Sequence, residues 1–210
     1  LRKNVIGSIN KVFEDYNSII VLEDDLKISQ TGVYWALKAL KKYKNIKKVN
    51  HINLWTPPNV VNKIDYFTRY MNCWGWATWK RTWNLYKKKP TFWLKWRYSS
   101  EWASKFSSQL EHEFWTKSLN NFFKNKIDSW DFIFLLCLWR NGGLNIIPNV
   151  NLVSNIGFGK DATHTSDIKD KNNSLLCKSI GKLKYPKIIK NCLDADKYTF
   201  DTMFRSGGKR

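Results

Sequence analysis

The chain has 210 residues, with 36 Lys and Arg against 17 Asp and Glu, for a formal net charge of +19. A 43% hydrophobic content with 12 Trp, 9 Tyr and 12 Phe excludes a disordered basic tail, which lacks the apolar surface to offset chain entropy. A membrane-spanning chain is excluded too: the longest apolar run, 132–139, falls far short of the roughly 18–20 residues needed to cross a bilayer.

The first element is a helix over 3–16, where Val5, Ile9, Val12 and Phe13 recur at helical spacing. It runs straight into 18–22 (SIIVL), a short apolar segment without polar alternation that predicts a strand buried on both faces. An opening helix that feeds such a strand usually follows an earlier strand, so the expectation is an α/β domain lacking its first strands at the N-terminus. The next three residues are acids: Glu23, Asp24 and Asp25. Adjacent carboxylates repel one another, and a core strand has no structural use for them. At the end of a parallel strand, however, they reach the crevice where α/β folds bind ligands. Extended residues two apart share a face, so Glu23 and Asp25 together suit a hard cation, Mn²⁺ or Mg²⁺. A solvated acidic turn that caps the next helix is the simpler alternative.

That helix runs through Trp35, Leu37 and Leu40 to Lys44, with the lysines at 38, 41, 42, 44, 47 and 48 forming its solvated end. Residues 49–54 read as a strand, and His51 within it as structural; His112, in a charged helix, reads the same way. In 73–79 (CWGWATW) a glycine stands among tryptophans; Trp76, Trp79 and Trp83 share helical spacing, which predicts core packing. Gly75 would let backbone pass close to a ligand. Lys87 to Lys89 with Trp93, Trp96 and Arg97 form a basic-aromatic stretch suited to a ligand-side or membrane-facing loop. Asp131 opens an apolar helix over 131–139. Helix capping, shared with Ser129, and general-base duty both suit a carboxylate there. His164 sits in a loop with Gly157 and Gly159, and residues 166–210 read as a basic C-terminal extension of a domain over 1–165.

Cysteines 73, 137, 177 and 192 show no paired or zinc-ligand spacing, which points to reduced thiols and a cytoplasmic setting. The spread of basic charge suits an anionic partner, nucleic acid or membrane surface, or simply the Lys, Asn and Ile bias of an AT-rich coding sequence. No RNP, KH or helix-turn-helix signature is present, so nucleic acid is not the expected partner.

In sequence, IIVLEDD followed by a helix, CWGWATW, Trp130-Asp131 and the run from Asn141 to Thr165 resemble the bacterial GT-A glycosyltransferases. The order EDD, GW, WD and a terminal His is similar to the N-acetylglucosaminyltransferase I type. The resemblance implies a Rossmann-type mixed sheet flanked by helices. It also implies transfer of a sugar from a nucleoside diphosphate donor to a saccharide or lipid-linked acceptor, with inversion implied by the resemblance alone. Asp25 and Glu23 would be metal ligands. Asp24, Gly75, Trp76 and His164 would contact the donor, and Asp131 would be the base. The basic surface suits peripheral association with the inner membrane face. The alternatives are a non-catalytic basic module and an inactive, truncated transferase.

Overall fold

A computed structural model describes residues 2–58, 60, 64–124, 129–158 and 175–205. Helix α1 (Arg2–Asp15) leads into β1 (Ser18–Val21), the acidic turn, β2 (Leu26–Ile28) and α2 (Gln30–Tyr43). Strands β3 (Val49–Asn53), β4 (Tyr66–Thr68) and β5 (Trp76–Trp79) follow, then the single-turn helices α3 (Lys80–Trp83), α4 (Trp93–Trp96) and α5 (Ser100–Ala103). After α6 (Gln109–Phe123) and α7 (Asp131–Arg140) come β6 (Leu144–Ile147), β7 (Val153–Asn155) and α8 (Leu193–Thr199), which continues into a π-helical turn, Phe200–Arg205.

Five strands form a mixed sheet in the order β1-β5-β3-β6-β4, and β2 pairs with β7 separately. The β3–β6 pair is parallel and the other pairs are antiparallel. Hence β1, β3 and β6 run one way, and β5 and β4 the other. One face carries α2 and its core of Trp35, Ala39, Leu40 and Tyr43 against Ile52, Ala77 and Ile146. The other carries α1, α6 and α7 with an aromatic core that includes Trp76, Trp83, Trp115, Phe134 and Trp139. The result is a mixed α/β fold with helices on both sides of the sheet.

Three expectations change. Strand β1, expected to be buried on both faces, is an edge strand whose residues are half-buried or exposed. Ile19 and Val21 pack on one core and Ile20 on the other, so both faces are covered and the outer edge causes the exposure. Trp76 and Trp79 lie in a strand and Trp83 ends the helix behind it; all three are core, but not by helical spacing. In the basic-aromatic stretch Trp93 and Trp96 are buried, leaving Leu94 and Tyr98 at the surface.

Residues 175–205 pack as part of the main body. Ile180 joins the α2-side core, Phe200 joins the aromatic core, and Asn191 bridges to Phe67 of β4. Asp196 is fully buried and takes hydrogen bonds from Thr68 and Asn191. Among the described residues, no helix is long and apolar enough to cross a membrane.

Candidate functional site

The acidic turn follows the carboxyl end of β1, and Leu26 N closes it by donating to Glu23 O at 3.2 Å. Glu23 and Asp25 are half-buried and Asp24 is exposed. The acids therefore stand on a turn rather than an extended strand, and Asp24 faces solvent. Strand β2 then pairs with β7, Leu26 opposite Asn155, which carries the 155–158 loop over the turn. Ile156 N donates to Asp25 O at 2.9 Å, and Asn155 Oδ1 accepts from Gly157 N at 2.7 Å. A side chain at position 157 would begin 2.3 Å from Asp25 Oδ2, so glycine is what admits the carboxylate there. Asp25 Oδ1 is buried and has no hydrogen-bond partner among the described residues.

The 72–75 segment, which enters β5 opposite Asn53 and Val21, lies at the same end of the sheet and is held by Asn53 at the end of β3. Asn53 Nδ2 donates to Tyr70 O, and its Oδ1 accepts from Asn72 N at 2.8 Å. Gly75 adopts φ +66°, accepts from Leu54 N at 2.9 Å and is packed among Leu54, Val153 and Leu22. That conformation is one L side chains rarely adopt, so Gly75 shapes the floor below the turn. Trp76 is fully buried, its ring stacked on His51 and Trp130. It supports the site from beneath instead of offering an open indole face. Trp74 is the half-buried neighbour, edge-on to Trp55 and to Phe158 of the 155–158 loop.

Asp131 is the first residue of α7. Its Oδ1 accepts from Ser129 Oγ and, at 3.0 Å, from Phe132 N; Ser129 Oγ accepts from Phe132 N as well. Both capping groups expected from sequence are thus engaged at this helix start. Asp131 also belongs electrostatically to the acidic turn. The Glu23 carboxyl is pushed above its ordinary value, first by burial and then by the charges of Asp25, Asp131 and Asp24. Burial, followed by the charges of Asp131 and Glu23, likewise pushes the Cys73 thiol well up; Asp25 adds to this. Glu23, Asp25 and Asp131 therefore lie within electrostatic range of Cys73. Sequence reasoning missed Cys73, although it lies next to the Trp74-Gly75 pair.

His164 and Gly159 lie outside the described residues. His51 is fully buried; burial pushes its imidazole down to about 3, against a weaker opposing effect of Asn53, so the ring is neutral and structural. Among the described residues, no three His, Cys, Asp or Glu side chains form a cage able to hold a metal ion unaided. Glu23 with the unpartnered Asp25 Oδ1 instead fits a partial donor set, the kind that Mg²⁺ and Mn²⁺ complete with water and substrate phosphates. No protein-family model matches the chain, and no curated protein matches it in sequence.

Proposed function

We propose that the chain is a metal-dependent GT-A-type glycosyltransferase that moves a sugar from a nucleoside diphosphate sugar to a hydroxyl of a saccharide or lipid-linked acceptor. The observation that carries the reading is that Asp131, distant in sequence, lies within electrostatic range of Glu23, beside Asp25, at the carboxyl end of β1, which runs in the same direction as the parallel pair β3 and β6. Ligand crevices of α/β sheets lie at the carboxyl ends of such strands. The mixed sheet with helices on both faces is compatible with the fold.

Asp25 and Glu23 would hold Mn²⁺ or Mg²⁺ together with the donor diphosphate. Bound there, the cation offsets negative charge that develops on the leaving nucleoside diphosphate. Asp131 would accept the proton of the acceptor hydroxyl as its oxygen bonds to the anomeric carbon and the bond to the diphosphate breaks. Attack opposite the leaving group gives inversion. A carboxylate is a weak base toward a free alcohol, so its contribution depends on orientation, and the contacts from Ser129 and Phe132 N supply that. The basic surface suits work on surface polysaccharide precursors beside anionic lipid.

Calorimetry with UDP- and GDP-sugars, with and without Mn²⁺, tests the reading. Mn²⁺-dependent donor binding is expected, weakened at least about tenfold in Asp25→Asn. Asp131→Asn is expected to cut transfer about 100-fold or more with donor binding retained. Absence of metal-dependent donor binding together with tight, salt-sensitive DNA binding would replace the enzyme with a basic binding module.

A further inference from the structure

We propose a second ligand site, for a neutral saccharide, at the end of the sheet opposite the acidic turn. A cavity of about 420 Å³ is lined by Arg69, Ser104, Phe106, Ser107, Trp139 and Asn191, among others. That volume falls within the range of small-molecule sites. Leu144, which also lines it, begins β6, whereas the acids follow the end of β1, and the two strands run in the same direction. Trp139 and Asp131 stand near opposite ends of α7, about 12 Å apart along the helix.

The wall has unused hydrogen-bonding capacity. Arg69 is only 8% exposed. Its Nη2 donates to both carboxylate oxygens of Glu111, at 2.9 and 3.0 Å. Its Nε lies 3.0 Å from Asp196 Oδ2, misaligned for a hydrogen bond. Nη1 has no hydrogen bond to a described residue and, unlike Nε, is not sealed from solvent. Asn191 donates to Asp196 through Nδ2, but its buried Oδ1 has no partner among the described residues. That oxygen is sealed like Nε, so the capacity open to the cavity is one donor, Arg69 Nη1, together with the hydroxyls of the exposed Ser104 and Ser107. These hydroxyls donate to Glu101 O and Glu111 Oε2 and keep lone pairs that can accept at the rim.

Charge decides the ligand class. Arg69 stands between Glu111 and Asp196, and Lys105 is 3.6 Å from Glu101, so the cations near the cavity are already countered. A bound anion would meet two buried carboxylates behind Arg69, and a bound cation would meet Arg69 itself. A neutral ring that offers hydroxyl donors and acceptors beside C–H surface matches both the polar wall and the aromatic edges of Phe106 and Trp139. This inference does not depend on the transferase reading.

Saturation-transfer NMR on the full chain tests it, with N-acetylglucosamine as probe and glucuronate and glucosamine as charged comparisons. Millimolar binding of N-acetylglucosamine is expected, lost in Ser104→Trp, which fills the mouth from an exposed position. Leu193→Trp, from a lining residue that is 60% exposed, provides the same block if the first variant fails to fold. Absence of binding, binding that survives the block in a folded variant, or tighter binding of either charged sugar overturns the proposal.

Discussion

A methyl group on Gly157 would stand 2.3 Å from Asp25 Oδ2 and 2.9 Å from Asp25 Cβ, so either the 155–158 loop or the acidic turn must yield to it. Gly157→Ala is expected to lower Mn²⁺-dependent donor hydrolysis about 10–100-fold, because displacements near 1 Å at a reacting centre carry costs of that size. Thermal unfolding should move much less, and an unchanged rate would separate Gly157 from the site. Asp65 makes a different prediction. It is fully buried and accepts from Trp35 Nε1 at 2.9 Å and Asn149 N at 3.0 Å. Burial outweighs these bonds and raises its carboxyl from 3.8 to about 6. As pH falls through that interval, the folded chain gains a proton that the unfolded chain does not yet hold. Stability from this group therefore rises on acidification, by about 3 kcal/mol, and is least above pH 6. Urea titrations across pH 4–7 should show that slope in the wild type and its loss in Asp65→Asn. At this scale the carboxylates of the site were legible because acids at a strand end have no packing role. The Gly157–Asp25 contact was not, since it exists only once β2 has paired with β7.

Elements with a clear apolar period were read correctly: α1, α2 and α7 fall within a residue or two of their expected bounds. The strands were harder. In β5 and α3 the tryptophan spacing mimics one helix because an extended segment turns helical at Lys80. In β1 an apolar run predicts a strand buried on both faces, and packed helices do cover them, but its place at the sheet edge comes from pairing that sequence does not encode. The entry to β5 depends on Gly75. Gly75→Ala is expected to cost about 1–2 kcal/mol for the left-handed backbone alone. Side chains of Leu54 and Val153 only 3.3 Å from the added carbon should raise that cost. Chemical denaturation measures it, and a neutral outcome would mean that the 72–75 segment can reshape freely.

The whole molecule is tied together by charges that lie far apart in sequence. Arg69 follows β4, Glu111 is in α6 and Asp196 is in α8, and all three are buried. Arg69→Met leaves two buried carboxylates without their counter-charge, with an expected loss of about 3–5 kcal/mol. Combining it with Glu111→Gln should recover part of that loss in the same urea titration; a purely additive loss would show that the ions do not interact. Within the described part of the C-terminal stretch, which reads in sequence as a basic extension, Asp196 joins this network from a largely polar run.

The strand order has a further consequence for how the chain reaches this state. None of the four contacts in the main sheet joins strands that are consecutive in sequence, and β2 must wait for β7. No local hairpin can seed the sheet, so the closure entropy of long loops is met before pairing returns any stability. Folding should therefore be slow for the chain's size. On the ribosome, the central β3–β6 pair cannot form until residue 147 has emerged, and until then the tryptophan-rich middle of the chain depends on helical collapse, or on a chaperone, to stay out of aggregates.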